Sequence, residues 1–434
     1  MEIVSRLKLI LQKKALHQTI FVYTGSMVNG LSLFALNIVL AKIFNQELFG
    51  IFSLSVLVLM TVAELSDFGL NMGLLRFGPY YIATDQPDKL KQLLKTIWRW
   101  RVSLSIILTV AGLVLAYPLA RYLLGQVKLT PYLAFASLGI GGIILLGFLA
   151  TYLQTKQRFF YHASLQSLKG FLRLVIVLIL LFFGVKNLFA YLSVYILVPW
   201  VLFIANFKVF PEKFREVTVD ASIKNKLHSQ LARFSFWLTV SSFMSIFVSR
   251  IDQVMVSRLL GLVEVAIFTV AWQLIQFFPI VYSSITSVLM PKISSLTKKE
   301  DLVIFVKRSF KWVLVVVAGL GIIIYPSQYL IQFLFGDKYI ASMPVYLILA
   351  YGYLLTVLAV PFSLVINVFN KTHWVAISGV AQILINLAAN MVFIPMYGIM
   401  GAAYAFAMAT IFTFLWNVAL AIYFLTRKEF AVEI

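Results

Sequence analysis

One stretch of the sequence decides the fold class: LFGIFSLSVLVLMTV, residues 48–62. It is apolar apart from small hydroxyl side chains, and runs of about 20 such residues, the length that crosses the hydrocarbon of a bilayer, recur along the chain. The chain is 62% hydrophobic and 12% charged, whereas soluble domains carry about 25% charged residues. The sequence therefore predicts an all-α polytopic membrane protein.

The apolar runs predict twelve transmembrane helices. These spans lie near residues 19–42, 47–75, 101–120, 132–154, 163–184, 188–208, 233–258, 263–291, 309–334, 345–369, 374–396 and 401–425. If both termini are cytoplasmic, most of the 36 Lys and Arg residues fall in connections on the inner side, as the positive-inside rule expects. Apolar residues at helical spacing beside a basic face in residues 1–18 predict a helix lying in the membrane interface.

The two halves of the chain resemble each other at an offset near 216. AKIFNQELFGIFS (41–53) aligns with SRLLGLVEVAIFT (257–269), and the basic residues Lys42, Arg76 and Lys156 align with Arg258, Lys292 and Lys371. Equal numbers of spans in the two halves predict two pseudo-symmetric six-helix lobes, residues 1–220 and 221–434. Parallel repeats of this kind suit a transporter that works by alternating access.

Composition and motifs exclude several other classes of protein. The formal net charge is +20, but the basic residues are spread over short connections, so topology explains them better than nucleic-acid binding. The chain has no Cys, and its four His residues are not at ligand spacing, so we expect no metal and no cofactor, apart from a coupling H⁺ or Na⁺. No connection is long enough for the catalytic loop of a glycan polymerase or transferase.

Three segments carry a resemblance to a known family: LFGIFSLSVLVLMTVAELSDFGLNMGLLRF (48–77), SRIDQVMVSRLLGLVEVAIFTVAWQL (249–274) and MYGIMGAAYAFAMAT (396–410). The chain resembles the polysaccharide-export or O-antigen oligosaccharide-lipid flippases, which belong to a superfamily shared with multidrug extruders and the lipid II flippase. The resemblance implies a V-shaped pair of lobes. It also implies outward flipping of polyprenyl-diphosphate-linked glycans.

Acidic residues interrupt the second predicted span. Glu64, Asp67 and Asn71 are spaced i, i+3 and i+7 and would share one face of a regular helix near mid-membrane. Ionisable groups in spans commonly face a pathway, so Glu64 and Asp67 either couple an ion to transport or form a structural pair with a neighbouring helix. Arg76, at the predicted cytoplasmic mouth, either snorkels to the interface or binds substrate.

Basic residues inside spans are candidates for binding a diphosphate, because a guanidinium matches phosphate oxygens in a bidentate fork. Arg173 and Lys169 are one turn apart in the fifth span, and Arg250 lies in the seventh beside a seam of Ser242, Ser245 and Ser249. Lys169 could instead snorkel, and Arg250 could form an ion pair. Asp252 lies about 200° around the helix from Arg250 and is either an ion-coupling site or the partner of an arginine.

Amide side chains form a third candidate group. Gln382, Asn386 and Asn390 are spaced i, i+4 and i+8 in the eleventh span. Amides on one face of a buried helix either hold helices together or contact sugar hydroxyls.

The sequence thus predicts an inner-membrane or plasma-membrane flippase for polyprenyl-diphosphate-linked oligosaccharide. Its partners would be that lipid, membrane lipids, a polysaccharide polymerase and glycosyltransferases, with no nucleic acid. The first alternative is a cation-coupled multidrug or metabolite antiporter, which needs acidic rather than basic walls. The second, which the short connections disfavour, is a membrane-embedded glycan polymerase or transferase.

Overall fold

A computed structural model of the protein describes residues 2–209, 221–296, 298–369 and 372–426. Within these ranges, the side chains of residues 2–17, 209, 221–238, 241, 372–373 and 375–376 are not described. The described residues are helical and contain no β-strand. The helices are α1 Glu2–Ile43, α2 Gln46–Leu65, α3 Leu70–Ala83, α4 Pro87–Pro118, α5 Thr130–Ser137, α6 Ile140–Thr155, α7 Phe159–Phe182, α8 Leu188–Ala205, α9 Ala221–Leu259, α10 Leu262–Ile275, α11 Phe278–Ser294, α12 Lys299–Ser327, α13 Tyr329–Phe335, α14 Ser342–Leu358, α15 Val360–Val368, α16 Thr372–Tyr397 and α17 Ile399–Thr426.

Ten helical segments of the described chain are long and apolar enough to cross a membrane, or eleven if the bent pair α5–α6 is one span. The prediction of an all-α polytopic membrane protein is therefore confirmed, whereas the count of twelve is not. The predicted span near 233–258 is missing from this set. It falls in α9, part of whose side chains lie outside the described residues and whose described part carries Arg250, Asp252 and Arg258. The basic face predicted for residues 1–18 also falls almost entirely on side chains outside the described set.

Five predicted spans consist of two helices each rather than one. The second span is divided into α2 and α3, the fourth into α5 and α6, the eighth into α10 and α11, the ninth into α12 and α13, and the tenth into α14 and α15. Pro131, Pro279 and Pro361 stand in the first turn of α5, α11 and α15, where the missing N–H of proline costs no intrahelical bond. Spans 2 and 8, and spans 4 and 10, are equivalent in the predicted duplication, so four of the five breaks recur at matching spans.

The chain forms two compact units. Unit 1 comprises Met1–Ile43, Leu54–Arg121 and Val127–Phe243, and unit 2 comprises Phe44–Ser53, Tyr122–Gln126 and Met244–Ile434. A core of unit 1 joins α3, α4 and α6 through buried side chains that include Leu74, Leu93 and Phe148. A core of unit 2 joins α11, α12, α15 and α17 through side chains that include Ile293 and Leu364.

Short segments before residue 244 are held in unit 2 by hydrogen bonds. The ammonium group of Lys338 donates to the backbone carbonyl of Phe44 at 2.6 Å, and the side-chain amide of Gln46 donates to the carbonyl of Lys338 at 2.6 Å. The hydroxyl of Ser257 donates to the carbonyl of Leu124 at 2.9 Å. Burial of the Lys338 ammonium group lowers its pKa below the ordinary value for lysine.

Close packing of α1 on α7 in unit 1 makes a matched pair of glycine substitutions informative. A Cβ atom at Gly25 would lie 2.7 Å from the carbonyl oxygen of Ala163, whereas a Cβ at Gly30, on the same helix, would meet no atom within 4 Å. Small residues of this kind allow helices in membranes to approach closely. We expect Gly25→Ala to lower the free energy of unfolding by about 1–3 kcal/mol, and Gly30→Ala to leave it unchanged or raise it. Denaturant unfolding of the purified variants in detergent measures both, and equal effects would contradict the packing explanation.

Candidate functional site

The second predicted span breaks where its acidic residues lie. α2 ends at Leu65 and α3 begins at Leu70, and between them Phe68 and Gly69 adopt left-handed backbone angles, with φ of 44° and 67°. Glycine accepts this conformation readily, whereas phenylalanine does so at an energetic cost. The prediction that Glu64, Asp67 and Asn71 share a face of one regular helix is therefore wrong, because the helix ends between Glu64 and Asp67.

An arginine of α4 holds this break together. The guanidinium of Arg101 forms an ion pair with the carboxylate of Asp67, donates to the side-chain oxygen of Asn71 at 2.8 Å, and reaches the carbonyl of Ser66 at 3.4 Å. The Arg101 side chain is 3% exposed. A broken helix leaves backbone and side-chain acceptors that must be satisfied inside a membrane protein, and Arg101 satisfies three of them.

The pairing of Arg101 with Asp67 was not predicted, because the two residues are 34 positions apart in the sequence. The only local signal was the position of Arg101 at the start of the apolar run 101–120. α2 is 20 residues long, about 30 Å, and is one of the ten candidate spans by itself. Glu64 lies in the last turn of α2, and its side chain is exposed, as is that of Arg76 on α3.

Two predicted basic residues meet in a pocket of unit 1. Lys169 and Arg173 of α7 line a cavity of about 130 Å³ together with Gln166, and α2, α6 and α8 supply its other walls. Those walls consist of Met60, Ile143, Leu146, Gly147, Ala150 and Pro199, with Leu165 of α7. We call this cavity the basic pocket. Among the described residues that line it, none is acidic.

The cations of the basic pocket are held by neutral groups. The Arg173 guanidinium lies over the ring of Tyr195 at 4.4 Å from its centroid, and the ammonium group of Lys169 donates to the side-chain oxygen of Gln166 at 2.8 Å. Arg173 is only 2% exposed, and its Nε has no hydrogen-bond partner among the described atoms. A buried guanidinium without a carboxylate favours an anion as its partner, because an uncompensated buried charge is costly.

A second cluster of predicted residues forms in unit 2. The side-chain amide of Asn390 on α16 donates to the carboxylate of Asp252 on α9 at 2.7 Å and to the side-chain oxygen of Asn386 at 2.9 Å. All three side chains are buried, and the side-chain oxygen of Asn390 has no partner among the described atoms. Carboxylate and amide oxygens gathered in one buried place can bind a proton or a small cation.

The other residues predicted for the site lie outside these two clusters. Gln382 and Arg250 are partly buried, while Ser242, Ser245 and Ser249 are exposed, with the hydroxyl of Ser249 donating to the carbonyl of Ile246. The structure therefore brings together Lys169 with Arg173, Asp67 with Asn71, and Asp252 with Asn386 and Asn390. Among the described residues, no group of three or more His, Asp or Glu side chains is arranged to hold a metal ion.

Comparisons with known proteins agree with this fold. Residues 15–297 match the family model described as polysaccharide biosynthesis protein. The chain is 25% identical over 365 residues to an uncharacterized membrane protein of Methanocaldococcus jannaschii, covering 77% of this chain and 70% of that protein. It is 25% identical over 189 residues to a Shigella flexneri protein described as a candidate O-antigen transporter, covering 43% of this chain and 45% of that protein.

Solved structures with similar folds are transporters and flippases. An inward-facing MATE multidrug-resistance transporter of the MOP superfamily has a TM-score of 0.72 at 16% identity, covering 95% of this chain and 100% of that chain. The lipid II flippase MurJ in an inward closed conformation has a TM-score of 0.67 at 16% identity, covering 93% of this chain and 87% of that chain. These likenesses confirm the fold class that the sequence predicts.

Proposed function

Because the chain belongs to the family of polysaccharide biosynthesis proteins, we propose that it is a flippase for polyprenyl-diphosphate-linked oligosaccharide. The lipid-linked glycan moves from the inner to the outer leaflet of the inner or plasma membrane by alternating access between lobes 1–220 and 221–434. Glycosyltransferases supply the cargo on the cytoplasmic side, where both termini lie, and a polymerase uses it outside. The MOP-superfamily fold supports this function.

The basic pocket is the observation that carries the proposal. Its two cations, Lys169 and Arg173, have neutral partners and line a pocket of about 130 Å³. Buried cations that lack an acidic neighbour attract phosphate oxygens, whereas a site for cationic drugs needs the opposite charge. Arg76 and Arg250 are further candidates for binding the anionic headgroup.

Asp252 supplies the ion-coupling site of this mechanism. Its carboxylate, with the side-chain oxygens of Asn386 and Asn390, binds H⁺ or Na⁺, and the bound ion changes which state of the transporter is favoured. Coupling free energies of this kind are typically about 1–3 kcal/mol, which corresponds to roughly 5- to 150-fold in an equilibrium. Glu64 and Asp67 remain secondary candidates for coupling.

Replacement of Asp252 by Asn is expected to abolish the dependence of transport on an imposed ion gradient. The amide is nearly isosteric and cannot be deprotonated, so the gradient-driven rate should fall roughly 5-fold or more, to the rate without a gradient. The measurement is the rate at which the polyprenyl-diphosphate-linked sugar is translocated in proteoliposomes with an imposed H⁺ or Na⁺ gradient. Asp337→Asn is the matched control, because Asp337 accepts from the exposed Gln332 at 2.8 Å and should remain fully gradient-dependent. A wild-type response in Asp252→Asn would refute the role.

The test of the function is translocation by the reconstituted protein. A short-chain polyprenyl diphosphate carrying one sugar is incorporated in proteoliposomes, and its movement between leaflets is followed by enzymatic modification of the sugar from outside. We expect movement with the protein and none in empty vesicles. A cationic dye in a parallel assay tests the antiporter alternative: transport of the dye without movement of the lipid would overturn the proposal in favour of the multidrug class.

A further inference from the structure

A second pocket of unit 1 has a different chemistry from the basic pocket. Its volume is about 440 Å³, and its lining contains three glutamines, Gln18 of α1, Gln154 of α6 and Gln157 just beyond α6. Leu75 and Pro79 of α3 and Phe159 of α7 complete it. The described lining has no charged side chain, and the volume falls in the usual range for small-molecule sites, about 300–1,000 Å³. We call this cavity the glutamine pocket.

A buried histidine orients one of these glutamines. The Nδ1 of His162 lies 3.0 Å from the carbonyl oxygen of Ala150, and its Nε2 lies 3.1 Å from the side-chain nitrogen of Gln154. A carbonyl only accepts, so Nδ1 carries the proton, and in a neutral imidazole Nε2 then accepts from Gln154. The side-chain nitrogen of Gln154 is thereby fixed by His162, which is 6% exposed. The side-chain oxygen of Gln154 remains as an oriented acceptor.

The backbone at Gln157 is held in a conformation that favours glycine. α6 ends with the N–H of Arg158 bonded to the carbonyl of Leu153 and the N–H of Gln157 bonded to that of Gln154, both at 2.8 Å. This is the Schellman pattern, in which the residue at the position of Gln157 is left-handed and is usually Gly. Gln157 has φ of 54°. Left-handed non-glycine residues cost free energy and cluster at functional sites.

The two pockets of unit 1 are neighbours along α6. Ala150 lines the basic pocket, and Gln154 lines the glutamine pocket. Residues four apart on a helix lie on the same face, about 6 Å apart along its axis. His162 bonds to both residues. A headgroup in which phosphate is joined directly to a sugar has its two parts at about this separation.

We propose that the glutamine pocket binds the sugar next to the diphosphate of the cargo, while the basic pocket binds the phosphate. Neutral amides present both donors and acceptors to hydroxyl groups, and Leu75, Pro79 and Phe159 offer apolar surface to the C–H faces of a sugar ring. The inference rests on the proposed function, because it takes the cargo to be a sugar diphosphate lipid. It adds a saccharide site that includes Gln154 and Gln157 and a positioning residue, His162.

The test compares binding of two kinds of lipid to the full chain in nanodiscs. One is a polyprenyl diphosphate without sugar, and the other is the same lipid carrying one glucose, galactose or N-acetylglucosamine. Two hydrogen bonds to the sugar are expected to make the wild type bind at least one sugar-bearing lipid roughly tenfold more tightly. Gln154→Met and Gln157→Gly should remove this preference and leave affinity for the sugar-free lipid within about twofold. The matched control is Gln332→Met, which replaces an exposed glutamine of unit 2. This variant should keep the preference for the sugar-bearing lipid.

Gln157→Gly separates a binding role from a structural one. Glycine relieves the left-handed strain, so the midpoint of thermal unfolding should rise while the preference for sugar is lost. His162→Phe should lower the preference, because it releases Gln154, and should not affect binding of the sugar-free lipid. Equal affinity of the wild type for all four lipids, or a wild-type preference in both glutamine variants, would overturn the inference alone. A folded wild type that binds none of the lipids would overturn the proposed function and this inference with it.

Discussion

Replacement of Arg173 by Met is expected to reduce translocation of a polyprenyl-diphosphate-linked sugar roughly 10- to 100-fold. Hydrogen bonds to charged groups contribute about 1.5–3 kcal/mol each, and about 1.4 kcal/mol is a factor of ten. Met preserves most of the side-chain volume and removes the guanidinium. The fold should survive, because replacing a buried charge by an apolar residue of similar size is often neutral or stabilising. The measurement is the initial rate in proteoliposomes, with thermal unfolding as a check on folding.

A second arginine of the chain provides the control. Arg121 also lies over a tyrosine ring, 5.9 Å from the centroid of Tyr117, but its side chain is exposed. Arg121→Met should therefore translocate at the wild-type rate. Lys169→Met is expected to show a smaller loss than Arg173→Met, because an ammonium group lacks the planar fork of a guanidinium. Equal rates for Arg173→Met and Arg121→Met would show that the basic pocket does not bind the cargo.

Replacement of Arg101 by Met is expected to destabilise unit 1 by about 2 kcal/mol or more. Removing one partner of a fully buried ion pair typically costs about 3–5 kcal/mol, since the other charge is left without compensation. The Asp67 side chain is 25% exposed, so solvent reduces this cost. The carbonyl of Ser66 and the side-chain oxygen of Asn71 would lose the same donor. The free energy of unfolding in detergent measures the change.

A double-mutant cycle distinguishes this pair from a general loss of packing. Asp67→Asn and Arg101→Met, singly and combined, should show a coupling energy of about 0.5–3 kcal/mol if the two side chains interact in the folded protein. The exposed pair of Asp88 and Lys91, 3.9 Å apart and one helical turn from each other, is the matched control. Lys91→Met should change the free energy of unfolding by less than about 0.5 kcal/mol. Additive effects of the Asp67 and Arg101 substitutions would contradict the ion pair.

The candidate sites were predictable to different degrees. Lys169 with Arg173, and Asn386 with Asn390, were predicted as neighbours because each pair is spaced four residues apart on one helix, and periodicity along a helix is a local property of the chain. That Asp252 meets Asn390 was not predicted, since these residues are 138 positions apart. Spacing along one helix carries no information on which neighbouring helix faces it.

The glutamine pocket was missed for the same reason. Gln154 and His162 are eight residues apart but belong to different helices. Each lies near a predicted connection, and their spacing along the sequence does not predict that they meet. The left-handed backbone of Gln157 could not be read from residue type, because glycine would be expected in that conformation. Only the tertiary structure shows that Gln157 adopts it.

By itself, the sequence determined that the protein lies in a membrane, that it is helical, and roughly where its spans run, because burial of apolar side chains in lipid depends on composition and length. Only the tertiary structure decided where the second span breaks and which charges are neutralised. Arg101 is buried against Asp67 by the packing of α4 beside the break, whereas Arg173 is buried against neutral groups. The same residue type is thus a structural partner in one place and a candidate anion site in the other, because the free energy of a buried charge depends on the groups that surround it.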